Sequence, residues 1–200
     1  MYALLLAAGE SHRFGENKLL APLHGRPLIA HTAAAVAEAI TGGILAGGVA
    51  VVPSGATELA WPLDTAGLTL VENPDPAAGL ARSLRLGLAA VEAACPTAGA
   101  ALVLLADQPG VRIDVIARLV AAWRAEGRSV RPRYLETPDQ PGHPVLVDRS
   151  LWPLVRELEG DTGLGPALAA RPDAVTVVEV GGRNPDVDTP EDLRQLEESG

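Results

Sequence analysis

Cysteine is almost missing from this chain: Cys95 is the only one in 200 residues. A disulfide framework and a thiolate metal cluster are therefore excluded. Aromatic residues are scarce too, at 3% of the total. No apolar run approaches the ~20 residues needed to span a bilayer, so no membrane segment is expected. Positive charge is also in deficit. The formal net charge of −9 leaves no cationic footprint of the kind a nucleic-acid binder needs. Met1 runs directly into the apolar stretch Tyr2 to Ala8 without a basic leader or cleavage site, which points to the cytoplasm. Any site for an anionic ligand must carry its own arginine, lysine or metal against this acidic average.

What is present fits one domain of 200 residues, large enough to build a core without a staple. Apolar runs at Ala3–Ala8, Val49–Pro53, Leu68–Val71 and Ala100–Ala106 read as strands. Between them, Pro27–Ile40, Gly79–Ala94 and Ile113–Glu126 carry helical periodicity. Strands apolar on both faces and alternating with helices predict an α/β fold, a mostly parallel central sheet between two helical layers. After about residue 128 the rhythm loosens. Strands are expected at Ser129–Leu135, Pro144–Val147 and Val175–Val180, and helices near Ser150–Leu158, Gly163–Ala170 and Pro190–Glu198, the last capped by Thr189. Residues 1–110 read as one functional half of the domain and residues 111–200 as the other.

The first motif follows the first strand: Leu6-Ala-Ala-Gly-Glu-Ser-His-Arg-Phe-Gly-Glu-Asn-Lys18. In open α/β sheets ligands bind at the carboxyl edge of the strands, where this loop begins. Gly9 and Gly15 let main-chain N–H groups approach an anion, and Arg13 and Lys18 add charge. A P-loop is excluded because Gly15 is followed by Glu16, and the dinucleotide fingerprint because Gly9 is followed by Glu10-Ser11. From the residues alone the loop is either an anion nest or an ordinary exposed turn. Its pattern, however, closely resembles the signature of nucleotidyltransferases acting on the molybdenum cofactor, the MobA-like family within the wider sugar-nucleotide pyrophosphorylase-like group. That resemblance implies a three-layer Rossmann-like nucleotidyltransferase fold. It also implies a triphosphate bound by Leu6, Ala8, Gly9, Arg13 and Lys18. The Ala7-Ala8 pair before Gly9 resembles the cytidylyltransferase branch, and Phe14 stands where methionine is usual.

Three further segments occur in the family's order. Ala100 to Pro109 delivers Asp107 to the same sheet edge; the residue alone is a helix cap or a Mg²⁺ ligand, and Asp-Gln-Pro resembles the family's metal-binding segment. In Asn73–Leu88, Gly79 opens a helix whose first turns hold Arg82, Ser83 and Arg85. The resemblance implies that Gly79 and Ser83 contact base and ribose; Arg82 and Arg85 are either nucleotide contacts or solvated charges. Near the end, Asn184-Pro-Asp-Val-Asp-Thr-Pro-Glu-Asp places Asp186 and Asp188 two apart, on one face of an extended segment. This phrase resembles the family's second metal-ligand segment, which implies Mg²⁺ held by Asp107 with Asp186 or Asp188.

On the acceptor side, Pro141-Gly-His-Pro and Leu158-Glu-Gly-Asp-Thr-Gly163 resemble segments of the cofactor cytidylyltransferases, pointing to Gly142, His143 and Asp161. His143 is equally readable as a turn residue. Where relatives continue Gly-Asp-x-Gly-Ala-Arg, this chain has Leu164-Gly165-Pro166, and the arginine is gone.

Together these segments imply a Mg²⁺-dependent enzyme that transfers CMP from CTP to a small phosphorylated acceptor of the molybdopterin type and releases pyrophosphate, with Lys18, Arg13 and Asp107 catalytic. The same pattern also accommodates a guanylyltransferase, a transferase for phospholactate-like or sugar phosphates, or a silent maturation factor for a molybdoenzyme client.

Overall fold

A computed structural model describes residues 1–9, 14–15 and 17–199. Its strands are β1 (Tyr2–Leu6), β2 (Pro22–Leu23), β3 (Arg26–Pro27), β4 (Gly48–Pro53), β5 (Thr69–Asn73), β6 (Ala100–Leu105), β7 (Ser129–Tyr134), β8 (Val145–Asp148) and β9 (Val175–Val180). Its α-helices are α1 (Leu28–Thr41), α2 (Ala60–Thr65), α3 (Leu80–Ala94), α4 (Ile113–Glu126), α5 (Trp152–Arg156), α6 (Leu164–Ala169) and α7 (Pro190–Ser199). Seven strands form one sheet in the order β5-β4-β1-β6-β8-β7-β9. Every pairing among β5, β4, β1 and β6 is parallel, and β8 alone runs against its neighbours β6 and β7.

The two-residue repeat of a strand explains how one apolar run serves two cores. Ala3, Leu5 and Ala7 of the β1 segment join Leu102 and Leu104 of β6 under α1 and α4. Leu4, Leu6 and Ala8 point the other way, with Ala101 and Val103, under Leu84, Leu88 and Val91 of α3 and Trp152 of α5. β1, β4 and β6 are thus covered on both faces, and their residues read as unbroken hydrophobic stretches. Cutting back a fully buried side chain such as Leu4 or Leu5 removes about 2–5 kcal/mol.

Chain ends of the helices obey local rules. Gly127 closes α4 in the left-handed region at φ 64°, its N–H donating to the Trp123 carbonyl. At α7, Asp192 N–H donates to Thr189 Oγ1 and Thr189 N–H donates back to Asp192 Oδ2, a reciprocal cap. The expected mostly parallel sheet between helical layers is present, with boundaries shifted by one or two residues. Two elements lie outside the sequence reading. β2 and β3 form a small hairpin turned by His24 (φ 48°) and Gly25 (φ 73°), and α2 occupies a stretch left unassigned. Among the described residues no helix is long and apolar enough to cross a membrane.

Candidate active site

β1 and β6 are adjacent and parallel, so both deliver their carboxyl ends to one edge. The Ala106 N–H donates to the Leu6 carbonyl at 3.0 Å and keeps the two chains together past the strands. Beyond this point they diverge, β1 into Ala7-Ala8-Gly9 and β6 into Asp107-Gln108. A cleft of about 460 Å³ opens there, lined by Leu6, Ala8, Gly9, Lys18, Gly79, Ser83, Asp107 and Asp161 among others. That volume is within the range of small-molecule sites. Eight residues expected to act at the site therefore meet in one cavity.

Gly79 shows why its position is a glycine. Its φ is +91°, and a Cβ would lie 2.2 Å from the main-chain carbon of Gly160. The segment Gly160-Asp161 presses directly on the start of α3: the Ala81 N–H donates to the Gly160 carbonyl at 3.1 Å, and the Leu80 N–H to Asp161 Oδ1 at 3.4 Å. Asp161, grouped by its sequence context with the acceptor residues, thus lines the cleft beside Gly79. Ser83 is buried, and its Oγ accepts from Asn73 Nδ2 at 3.1 Å. Arg82 donates through Nε to Asn73 Oδ1 at 3.1 Å, while Arg85 donates to the Leu158 carbonyl. Asn73 went unnoticed in the sequence and is the fully buried link between β5 and α3.

Lys18 begins a short turn capped by Asn17, whose Oδ1 accepts from the Leu19 N–H at 3.2 Å. The lysine Nζ donates to Asp107 Oδ2 and to Asp188 Oδ1, each at 2.8 Å. Burial works against its charge, but Asp107 first and Asp188 second outweigh it, and its pKa rises above the ordinary lysine value. Arg13 lies outside the described residues, as do Glu10, Ser11, His12 and Glu16.

The C-terminal segment is stitched across this edge. The Val187 N–H donates to the Asp107 carbonyl at 2.9 Å. Gln108, buried to 4% exposure, donates to Asp186 Oδ1 at 2.7 Å and accepts from Asn184 Nδ2 at 3.2 Å. Its carbonyl accepts from buried Thr32 Oγ1 at 3.1 Å. Asp186 and Asp188 therefore separate: Asp188 shares a cation with Asp107, and Asp186 is engaged by Gln108. Burial raises the Asp186 pKa, and Asp107 and Asp188 add to that rise against the Gln108 hydrogen bond. Neither Gln108 nor Asn184 was singled out from the sequence, although both lie inside motifs that were.

Gly142 and His143 are not in the cleft lining given above. They stand on the far side of the Gln108–Asn184 link. The His143 carbonyl accepts from Tyr134 Oη at 2.8 Å and from Asn184 Nδ2 at 3.2 Å. Burial, and then Arg131, hold the His143 ring at a pKa of about 4, so it is a neutral imidazole at physiological pH. Burial likewise pushes the Tyr134 hydroxyl up to about 12. Gly142 has no room for a side chain, since a Cβ would sit 2.4 Å from the Pro132 carbonyl oxygen.

Among the described residues no three His, Cys, Asp or Glu side chains gather closely enough to hold a metal by themselves. Of the three acids, Asp107 and Asp188 converge on the Lys18 ammonium, and Asp186 accepts from Gln108. That donor set fits Mg²⁺ or Mn²⁺, which take hard oxygen ligands and complete their shell with phosphates and water.

Residues 3–175 match the family model described as the MobA-like NTP transferase domain. Over 96% of the chain and 94% of the relative, the sequence is 31% identical to nicotine blue oxidoreductase of Paenarthrobacter nicotinovorans. The crystal structure of the Rv0371c homologue from Mycobacterium sp. strain JC1 superposes with a TM-score of 0.83 at 28% identity, covering 99% of this chain and 95% of that one. Rv0371c of Mycobacterium tuberculosis in complex with manganese superposes with a TM-score of 0.80 at 26% identity, covering 100% and 98%.

Proposed function

The chain belongs to the MobA-like NTP transferase family, and from that premise we propose that it transfers CMP from CTP to a phosphate-bearing acceptor of the molybdopterin type. One observation carries the reading: at the mouth of a cleft lined by Gly9, Gly79 and Ser83, Lys18 and the Asp107–Asp188 pair converge on one point. A cleft for a nucleotide with its own cation and two hard carboxylates is what phosphoryl-type transfer in an acidic protein requires.

An oxygen of the acceptor phosphate attacks the α-phosphorus, the bond from that phosphorus to the bridging oxygen breaks, and pyrophosphate leaves with the electron pair. The acceptor phosphate is already ionised, so no general base is needed. Gly9 takes phosphate oxygens, and Gly79 and Ser83 take the nucleoside end. Lys18 turns from its carboxylates to the phosphates and offsets charge on the leaving group. Asp107 and Asp188 would hold Mg²⁺, which when bound neutralises phosphate oxygens. Residues 1–110 supply the donor site on this reading, and residues 111–200 the acceptor side, including Gly142 and His143. CTP as donor is supported by the Ala7-Ala8 pair; guanylyl transfer, another phosphorylated acceptor, or a silent partner of a molybdoenzyme are the outcomes that would replace it.

A second reading rests on the relative named nicotine blue oxidoreductase: the same cleft would take a reduced dinucleotide. The missing Gly-x-Gly-x-x-Gly pattern weighs against it. Incubation with α-labelled CTP and a molybdopterin-type acceptor separates the two. Label carried into the acceptor supports CMP transfer; oxidation of NADPH by a dye without any label transfer overturns it.

A further inference from the structure

β7 reads Ser-Val-Arg-Pro-Arg-Tyr, and its alternation divides the side chains between two faces. Val130 and Tyr134 enter the core under α4. Arg131 and Arg133 therefore point to the opposite face, the one that α3, α5 and α6 cover. Arg133 is half-exposed and pairs at 3.6 Å with Glu179 of the edge strand. Arg131 is different. It is partly buried, and among the described residues its guanidinium makes neither a hydrogen bond nor an ion pair.

The charge that acts on Arg131 is a like one: burial and then Arg133 pull its pKa below the ordinary value. In a chain with a net charge of −9, a guanidinium without a carboxylate is out of place, because a desolvated charge is costly unless it is paired. Its nitrogens are not sealed off, since among the described residues Asn184 Oδ1 is the only fully buried side-chain polar atom left without a partner. A ligand can reach it from solvent.

The neighbours of Arg131 give its direction. β8 runs antiparallel to β7 with Val130 opposite Leu146, so Val145 lies opposite Arg131, and the segment just before β8 stays against β7, a Cβ at Gly142 falling 2.4 Å from the Pro132 carbonyl oxygen. Arg131 and Asp107 both act on the His143 ring, and the His143 carbonyl is tied through Asn184 Nδ2 to Gln108, the neighbour of Asp107. β6 and β7 are separated by β8 alone, which sets them roughly 10 Å apart. That is the length of a small acceptor molecule lying across the sheet edge.

We propose that Arg131, on β7 alongside the segment that carries His143, forms an oxyanion subsite on the acceptor side, holding a phosphate or carboxylate group of the acceptor. The planar guanidinium matches either group through two parallel N–H donors, and an anion there relieves the Arg131–Arg133 repulsion. The word acceptor rests on the transferase reading; the anion subsite itself does not.

The test is the Arg Nε–Hε region of a ¹⁵N–¹H NMR spectrum of the whole protein, with the Arg131→Met spectrum identifying the Arg131 signal. Titration of the wild type with inorganic phosphate, and separately with sodium acetate, is expected to shift that signal saturably; the tighter of the two anions names the group. Arg133→Met should leave the affinity within about threefold, and Arg131→Met should still bind Mg²⁺–CTP as the wild type does. An Arg131 signal that neither anion moves overturns the subsite. If Arg131 saturates with phosphate but Mg²⁺–CTP does not bind, the transferase reading falls and the subsite stands. Should Arg131→Met fail to fold, Arg131→Lys supplies the assignment and is expected to bind phosphate at least tenfold more weakly.

Discussion

The ammonium of Lys18 donates to Asp107 Oδ2 across 2.8 Å, although 89 positions separate the two residues in the chain. The same nitrogen reaches Asp188, 170 positions away, at the same distance. One cation thus ties together the first loop, the end of β6 and the C-terminal segment. It is also the only lysine of the chain. Lys18→Ala is expected to lower turnover roughly 10²–10³-fold, the usual effect of removing a group that stabilises transition-state charge. Far-UV circular dichroism should be unchanged. Turnover like that of the wild type would remove Lys18 from the mechanism.

The two C-terminal acids should behave differently. Asp188 shares its cation with Asp107, whereas Asp186 accepts from Gln108 at 2.7 Å. Asp107→Asn and Asp188→Asn should each weaken Mn²⁺ affinity in the presence of CTP by at least tenfold, followed by electron paramagnetic resonance. Asp186→Asn should change it by less than about threefold. A larger loss from Asp186→Asn than from Asp188→Asn would exchange their roles.

His143 makes stability depend on pH. Burial, and then Arg131, hold its folded-state pKa at about 4, below the ordinary 6.5. The folded chain refuses a proton that the unfolded chain takes up. Stability is therefore intact above pH 6.5 and falls as the pH drops from 6.5 toward 4. With allowance for the partly exposed ring, the loss attributable to this group is about 2–3 kcal/mol. Urea unfolding at pH 7 and pH 4.5 checks it: His143→Gln should lose less stability over that interval than the wild type. Equal losses would show that the imidazole does not carry the effect.

Gly79 joins the fold to the cleft. A methyl group there would collide with Gly160 and would also strain a backbone at φ +91°. Gly79→Ala should cost about 2–4 kcal/mol of stability and push Asp161 away from the Leu80 N–H. CTP affinity should fall at least tenfold at a temperature where the variant is still folded. Unaltered affinity would mean that the Gly79–Gly160 contact does not shape the nucleotide side.

How much of this was legible in the sequence follows from how far each interaction reaches along the chain. β1, β4 and β6 were readable because burial on both faces leaves unbroken apolar runs such as Leu4-Leu5-Leu6. α4 was readable to the residue, since Gly127 marks its end. The β2–β3 hairpin was not, because Pro22, His24 and Pro27 carry none of the β-branched character that signals a strand. α2 was hidden by Pro62 within its first turn. The motifs around Gly9, Gly79 and Asp107 are short and could be recognised one by one. Their junction could not, since Lys18, Asp107 and Asp188 meet only after the sheet forms. Gln108 carries no signal of its own next to Asp107, because its partners Asn184 and Asp186 lie 76 and 78 positions away. Arg131 lies within the expected strand Ser129–Leu135, and what distinguishes it, a guanidinium without a partner among the described residues, is visible only in three dimensions.

Pyrophosphate release is the decisive readout for nucleotidyl transfer at the Lys18–Asp107–Asp188 site. The purified protein is incubated with Mg²⁺ and each of the four nucleoside triphosphates in turn, with and without a molybdopterin-type acceptor. Release is expected with CTP alone, dependent on the acceptor and abolished by Asp107→Asn. Absence of release with every triphosphate and acceptor pair would contradict it.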